Sequence, residues 1–205
     1  MPKPNQELSE WIDIIDDADF ISMGIGELLE IAAQKFPNTE ALNYSHQPDI
    51  KNICWTYKDL NEMSTNLARG FLTAGFSPGD TIAVWGPNHP EWILIEYALA
   101  KAGLKLATLN PLYKEKELIF ALNTSKVSGI MHADEIGGVE AITLIQSILC
   151  DVPSLDHIYS FTDGIENLIA QGKASSTELP KIDPKDIFMI QYTSGTTGTP
   201  KAAQM

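Results

Sequence analysis

The sequence is poor in cysteine and in basic residues, and both shortages narrow the classes of protein it can encode. It has 205 residues with two cysteines, and neither Cys54 nor Cys150 has a neighbouring Cys or His at metal-ligand spacing. We therefore predict free thiols in a cytoplasmic protein. The 14 basic residues stand against 27 acidic residues, which gives a formal net charge of -13. Such a surface repels phosphate backbones, so we expect no general nucleic-acid binding.

The sequence also lacks a long uncharged apolar run and a recognisable targeting segment. Its longest apolar region is WILIEYALAKAGLKLATL, which Glu96, Lys101 and Lys105 interrupt. A membrane span needs about 20 nearly uncharged residues, so no transmembrane segment is predicted. The first residues have neither the pattern of a signal peptide nor an Arg-rich amphipathic pattern. The four histidines are scattered, and we interpret His132 beside Asp134 as an ordinary strand end rather than a metal pair.

The apolar content is high enough to form a core, since 44% of the residues are hydrophobic. Helical spacing of apolar residues predicts a helix over residues 24–36, which Pro37 ends. Two short strands are predicted around a polar turn at Gln47, Pro48 and Asp49. A second amphipathic helix follows over residues 58–76, with Gly75 as its stop.

From residue 81 onward, apolar strands alternate with helices. The strands are predicted over residues 81–86, 104–110, 128–133, 157–161 and 187–193, and the helices over 91–102, 115–123 and 139–149. Asn88 is the expected cap of the helix over 91–102, and residues 171–186 are expected to be a surface connection. Alternating strands and helices predict an α/β fold with a largely parallel sheet flanked by helices on both faces.

A hydroxyl-rich and glycine-rich loop leaves the carboxyl end of the last of these strands. Open parallel sheets bind ligands outside the carboxyl ends of their strands. Gly195 and Gly198 permit close backbone approach, the neighbouring Ser and Thr residues add hydroxyl donors, and Lys201 adds a positive charge. These features are typical of a phosphate site, although a polar linker would have a similar composition. The glycine and lysine spacing does not fit the common G-x-x-x-x-G-K-[ST] loop.

The ordered string YTSGTTGTPK resembles the phosphate-binding motif of the adenylate-forming (AMP-binding) superfamily, which includes acyl-CoA synthetases, luciferases and the adenylation domains of peptide synthetases. The similarity extends over roughly residues 24–205. The segment Asn110-Pro111-Leu112-Tyr113, followed by Glu117 and Leu118, is especially similar to fatty-acyl and medium-chain acyl-CoA ligases.

This resemblance implies a two-step reaction on small-molecule substrates. ATP, carrying Mg²⁺, and a carboxylate give an acyl-adenylate and pyrophosphate, and the thiol of coenzyme A then displaces AMP. The implied fold is the incomplete N-terminal domain of this enzyme family. No catalytic residue and no protein ligand of the metal is identified in this chain. The residues that the resemblance assigns to the ATP phosphates are Thr193, Ser194, Gly195, Thr196, Thr197, Gly198 and Lys201.

The sequence departs from the family pattern in two respects. Ala202 stands where the family usually has Gly, and we expect it to adopt an extended or helical conformation. The Tyr-Gly-x-Thr-Glu segment and the small C-terminal domain with its catalytic lysine are absent. We therefore expect an N-terminal extension over residues 1–23, a partial AMP-binding domain over 24–205, and an inactive fragment of a longer ligase. Two alternatives stay open, an adenylation enzyme for an amino or aryl acid and a non-catalytic nucleotide-binding pseudo-enzyme, and the sequence indicates no oligomeric state.

Overall fold

Helices and strands alternate along most of the chain. The structure is a computed structural model that describes residues 22–44, 52–193 and 201–205. The helices of the described residues are α1 (Ile25–Lys35), α2 (Tyr57–Thr73), α3 (Pro90–Ala102), α4 (Glu115–Thr124), α5 (Ala141–Ile148) and α6 (Asp163–Ala174). The strands are β1 (Glu40–Tyr44), β2 (Ile53–Thr56), β3 (Thr81–Trp85), β4 (Lys105–Leu109), β5 (Gly129–His132), β6 (Glu135–Ile136), β7 (Val139–Glu140), β8 (His157–Ser160), β9 (Met189–Thr193) and β10 (Lys201–Gln204).

The central feature is a six-stranded sheet with the order β10-β9-β4-β3-β5-β8. Neighbouring strands from β9 to β8 are parallel, and β10 pairs antiparallel with β9 at one edge. Strands β1 and β2 form a separate antiparallel pair, and the turn predicted at residues 47–49 lies outside the described residues. The predicted α/β class is confirmed, and β10 makes the sheet mixed rather than wholly parallel.

Both faces of the sheet are buried at its centre, where every residue of β3 and β5 is buried, as the near-continuous apolar strands predict. The face that carries Ile82, Val84 and Leu106, called here the α3 face, packs with core residues of α1, α2, α3 and α6. The opposite face carries Ala83 and Ala107, is called here the α4 face, and packs with core residues of α4 and α5. Because successive strand residues alternate between faces, each of the parallel strands contributes to both clusters, whereas β10 contributes Ala202 to the α4 face alone.

Helix α6 corrects the prediction that residues 171–186 are a surface connection, because residues 171–174 form its last turn. Ile165, Leu168 and Gly172 are buried at helical spacing. The helix packs so closely on α2 that a Cβ atom at Gly172 would lie 1.8 Å from the Asn66 carbonyl oxygen. A Cβ atom at Gly70 would lie 2.1 Å from the Leu168 carbonyl oxygen. Glycine at the contact therefore lets the two helix backbones approach, which stabilises α6 through packing.

Two predicted helix boundaries also need correction. The helix predicted over 139–149 begins only at Ala141, because Val139 and Glu140 pair with Glu135 and Ile136 in a two-residue hairpin. The hairpin turn contains Gly137 and Gly138, with φ of 62° and 79°.

Helix α3 begins one residue earlier than predicted, and Asn88 does not cap it. The N-cap is His89, whose side chain accepts no capping hydrogen bond, and Pro90 occupies the first helical position. Proline suits that position because its φ is preset and the missing N–H would have no helical partner. Gly103 ends the helix in the left-handed conformation, with φ of 70°.

Candidate phosphate-binding site

The parallel strands bring their carboxyl ends to one edge of the sheet, where ligands of such folds bind. Thr193 is the last residue of β9, so the Thr193-to-Lys201 string leaves from this edge. The other strand ends along the same edge are Trp85, Leu109, His132 and Ser160.

The two ends of the loop are paired across β9 and β10. Thr193 is the register partner of Lys201, so their side chains share one face of the sheet. Both residues are exposed. Ser194, Gly195, Thr196, Thr197 and Gly198 lie outside the described residues. The structure thus brings together the two outermost members of the predicted site.

Polar side chains continue from this pair across the α3 face. Gln191 lies two positions before Thr193 on β9 and therefore shares its face. Gln191 is in turn the register partner of Thr108 on the neighbouring strand β4. Gln191 is exposed and Thr108 is half-buried. The face is apolar where helices cover it and polar at this edge, which is the pattern of a ligand-binding surface.

Tyr192 points to the α4 face and fixes the end of β9. Its hydroxyl donates a 2.6 Å hydrogen bond to the Ala121 carbonyl oxygen and makes a close hydrogen bond with Ser125. Burial raises the pKa of Tyr192, although the Ser125 hydrogen bond acts in the opposite direction. The phenol therefore stays neutral and links β9 to α4.

The segment after β4 is held by three hydrogen bonds to Asn110. Its side-chain Oδ1 accepts from the Leu112 backbone N–H at 2.9 Å. Its carbonyl oxygen accepts from Trp85 Nε1 at 3.1 Å and from the Tyr113 backbone N–H at 3.0 Å. Asn110 is thus fixed in position beside the end of β9.

A cavity of about 350 Å³ opens at these strand ends. This volume lies within the range of small-molecule sites. The cavity lies between the segment that follows β4 and Thr193, the first residue of the string. Its lining residues are Thr108, Leu109, Asn110, Tyr113, Gln191, Tyr192 and Thr193.

A larger cavity of about 690 Å³ lies elsewhere, beside Met189 at the amino end of β9 and Lys101 near the end of α3. Four acidic residues and two lysines, Lys101 and Lys181, take part in its lining, and the excess of negative charge repels a polyphosphate. Volume alone therefore does not identify the phosphate site. The acidic lining residues are Glu27, Glu30, Asp183 and Asp186.

Lys101, the buried lysine of the larger cavity, already has its partners inside the fold. Lys101 is 4% exposed. Its Nζ donates to Asn61 Oδ1 at 2.6 Å and to Thr65 Oγ1 at 2.8 Å, and it lies 3.8 Å from Glu30 Oε1. Burial lowers the pKa of Lys101 to about 8, although the Glu30 carboxylate acts in the opposite direction. Lys101 therefore joins α3 to α1 and α2 and is not a free cation for a ligand.

The remaining candidates from the sequence have ordinary surroundings. His132 is buried, and its Nδ1 lies 2.9 Å from the Ala133 carbonyl oxygen. Asp134 accepts a hydrogen bond of 3.2 Å from the Thr162 hydroxyl. Both cysteines are free thiols on the surface. Within residues 22–44, 52–193 and 201–205, no group of three or more His, Cys, Asp or Glu residues could hold a metal ion.

Ala202 lies in strand β10 opposite Tyr192 and packs against the α4-face core. Lys126 is the sole non-glycine residue with positive φ in the described part of the chain, so Ala202 is unstrained there. The structure thus agrees with the expected extended conformation at this position.

Sequence reasoning missed Thr108, Asn110 and Gln191 as possible site residues. Each is a polar residue at the carboxyl end of an otherwise apolar strand, and that placement was a usable signal. The helices of the described ranges, by contrast, include none with the length and apolar character that a membrane crossing requires.

Comparisons with known proteins agree with this geometry. A family model described as AMP-binding enzyme matches residues 29–205. The medium-chain acyl-CoA ligase ACSF2 of Rattus norvegicus, described as mitochondrial, is 31% identical over 218 aligned residues that cover 92% of this chain and 34% of the relative. A putative acyl-CoA synthetase of Bacillus subtilis, YngI, is 27% identical over 92% of this chain and 38% of its own length. The chain therefore spans about a third of the length of these relatives.

A solved structure shows the same fold. The long-chain-fatty-acid-CoA ligase FadD1 of Archaeoglobus fulgidus superposes with a TM-score of 0.78 at 21% identity, over 91% of this chain and 37% of that one. The fold, the loop position and the family match over residues 29–205 lead to one conclusion: this chain belongs to the AMP-binding enzyme family, whose members similar to it are acyl-CoA ligases.

Proposed function

We propose that this chain supplies the ATP-phosphate site of a fatty-acyl-CoA ligase. In the first step, a carboxylate oxygen attacks the α-phosphorus of ATP, the bond to the β-phosphate breaks, and pyrophosphate leaves. In the second step, the thiol of coenzyme A loses a proton, attacks the acyl carbon and releases AMP. The observation that carries the proposal is the pairing of Thr193 with Lys201 at the carboxyl edge of the sheet.

The first step requires donors where negative charge accumulates. As pyrophosphate departs, charge builds on its bridging and terminal oxygens, and positioned donors lower the barrier there. Lys201 contributes a positive charge, and Thr193 contributes a hydroxyl on the same face. Ser194, Gly195, Thr196, Thr197 and Gly198 complete the proposed set between them. Mg²⁺ accompanies ATP in this proposal, and coenzyme A is the second substrate.

The acid is proposed to be a medium-chain or long-chain fatty acid. Support comes from the names of similar proteins, which are a medium-chain acyl-CoA ligase and a long-chain-fatty-acid-CoA ligase. The proposal also keeps the division of the chain that the sequence suggests. Residues 1–23 form an N-terminal extension, and residues 24–205 form a partial AMP-binding domain. A panel of fatty, aryl and amino acids in the exchange assay separates this substrate class from the alternatives.

The test compares two half-reactions in the complete gene product with Lys201→Ala. Carboxylate-dependent exchange of pyrophosphate into ATP should slow about 100-fold, because only this step expels pyrophosphate. Thioester formation from supplied acyl-adenylate should change less than about 2-fold. Lys105→Ala is the matched control, since Lys105 is the first residue of β4 and lies at the amino ends of the parallel strands, away from the proposed site. Equal slowing of both half-reactions by Lys201→Ala would show that the lysine has another role.

A further inference from the structure

The side-chain amide of Asn110 makes a hydrogen bond through its oxygen, Oδ1, and its nitrogen, Nδ2, is available to donate. Oδ1 accepts from the Leu112 backbone N–H at 2.9 Å, which fixes which end of the amide is the oxygen. Nδ2 therefore points away from that bond, and it makes no hydrogen bond with any residue in the described ranges. The result is an oriented amide donor on a segment that Trp85 and Tyr113 also hold in place.

This donor lies next to the beginning of the phosphate loop. Asn110 follows the last residue of β4, and β4 is the parallel neighbour of β9, which ends at Thr193. Adjacent strands lie about 5 Å apart, so the two strand ends are within reach of one polyphosphate. Asn110 and Thr193 also line the same cavity of about 350 Å³.

The chemistry around this donor favours an anion. Thr108 and Gln191 add a hydroxyl and a second amide to the same cavity, and no carboxylate is among its lining residues. The larger cavity has the opposite character, with four acidic residues in its lining. A set of neutral donors beside Lys201 suits phosphate oxygens better than a cationic or purely apolar ligand.

We propose that Asn110 is a further ligand-binding residue of the site, donating from Nδ2 to a phosphate oxygen of the nucleotide's polyphosphate chain. The inference rests on the proposed function and extends it to a residue outside the Thr193-to-Lys201 string. It also gives the Asn110-Pro111-Leu112-Tyr113 segment a role in binding, in which the Leu112 N–H orients the amide and the Asn110 amide binds the leaving phosphates.

Asn110→Asp separates binding from a structural role. An aspartate keeps an oxygen to accept from the Leu112 N–H, so a purely structural role survives the change. It replaces the Nδ2 donor with a second acceptor, so a phosphate contact becomes repulsive. Asn110→Ala removes both functions. Leu112→Glu is the matched charge control, because Leu112 is 81% exposed and does not line the cavity.

The measurement is calorimetric binding of Mg-ATP, Mg-pyrophosphate and AMP to the complete gene product and its three variants. Asn110→Asp should weaken ATP and pyrophosphate at least about 10-fold and leave AMP within about 2-fold, with Leu112→Glu close to wild type. Wild-type affinity for ATP in Asn110→Asp would overturn the inference, and so would equal weakening of AMP. If Leu112→Glu weakens ATP as much, the effect is general repulsion and the contact is wrong.

Titration of Lys201→Ala beside these variants separates this inference from the proposed function. If the wild-type protein binds ATP and Lys201→Ala weakens it while Asn110→Asp does not, only the role of Asn110 falls. If the wild-type protein binds neither ATP nor pyrophosphate, both the proposed function and the Asn110 contact are wrong.

Discussion

Two cavities among the described residues differ in size and in chemistry, and the smaller one is the better match to the proposed phosphate site. The larger, of about 690 Å³, lies beside the amino end of β9 and has four acidic residues in its lining. The smaller, of about 350 Å³, lies at the carboxyl ends of β4 and β9 and is lined by hydroxyl, amide and aromatic side chains. Strand direction and charge therefore favour the smaller cavity as the proposed phosphate site, although it has the smaller volume.

Lys101 in the larger cavity and Lys201 beside the smaller one have opposite surroundings. Lys101 is buried and donates to Asn61 and Thr65. Lys201 is exposed at the first position of β10, opposite Thr193. A lysine whose donors already have partners stabilises the fold, and a lysine that faces solvent at a strand end can bind a ligand.

Exchanging each lysine for methionine should give the largest difference between the two regions. Lys201→Met should weaken Mg-ATP binding about 100-fold, because it removes a cation from the phosphates. Lys101→Met should change the affinity less than about 2-fold, since its ammonium points into the fold. Calorimetric titration of both variants, after each is shown to be folded by circular dichroism, makes the comparison. A larger loss of ATP affinity in Lys101→Met would reverse the assignment of the two cavities.

The second expected effect concerns Lys101 in the larger cavity. Its lowered pKa should make the free energy of unfolding depend on pH in the alkaline range. The pKa of Lys101 is about 8 in the folded chain, against an ordinary value of 10.5. Between these values the unfolded chain binds more protons, so the free energy of unfolding should rise with pH by about 1 kcal/mol per unit. Below about pH 8 this gain is absent, because both states carry the proton.

Urea denaturation from about pH 7.5 to about pH 10.5 measures this slope, and Lys101→Met is the reference that removes the contribution of other groups. The wild type should gain stability relative to the variant as the pH rises. A constant difference would show that the folded and unfolded states hold this proton equally, and a falling one would show that the folded state holds it more tightly.

The smallest expected effect concerns Ala202, beside the phosphate loop. Ala202→Gly should lower stability by about 0.5–1 kcal/mol, because glycine costs more entropy in a strand and leaves space opposite Tyr192. Mg-ATP affinity should stay within about 2-fold. Thermal melting and titration of this variant check both statements. A gain in stability would mean that alanine is strained in this position, contrary to its place in β10.

Much of the sheet could be predicted, because buried parallel strands are short apolar runs separated by helices. Helix α6 was missed because residues 162–170 mix acidic and polar residues with a glycine, and periodicity there is weak. Its stability depends on the close approach of Gly172 to the Asn66 carbonyl on α2, which no local pattern shows.

The motif of the proposed site could be predicted from the sequence, but the contacts that surround the motif could not. The string from Thr193 to Lys201 is recognisable by order alone, but its pairing across β9 and β10 is not, since the residues of β10 have little intrinsic strand preference. The contribution of Asn110 depends on a hydrogen bond to Leu112 and on the neighbouring position of β9. Such features arise from tertiary geometry.

The most direct measurement is a crystal structure of the complete gene product with Mg²⁺ and a non-hydrolysable ATP analogue. We expect β- and γ-phosphate oxygens about 3 Å from Lys201 Nζ, with Thr193 and Asn110 among their neighbours. Phosphates bound in the larger cavity beside Lys101, or away from the carboxyl ends of β4 and β9, would contradict this expectation.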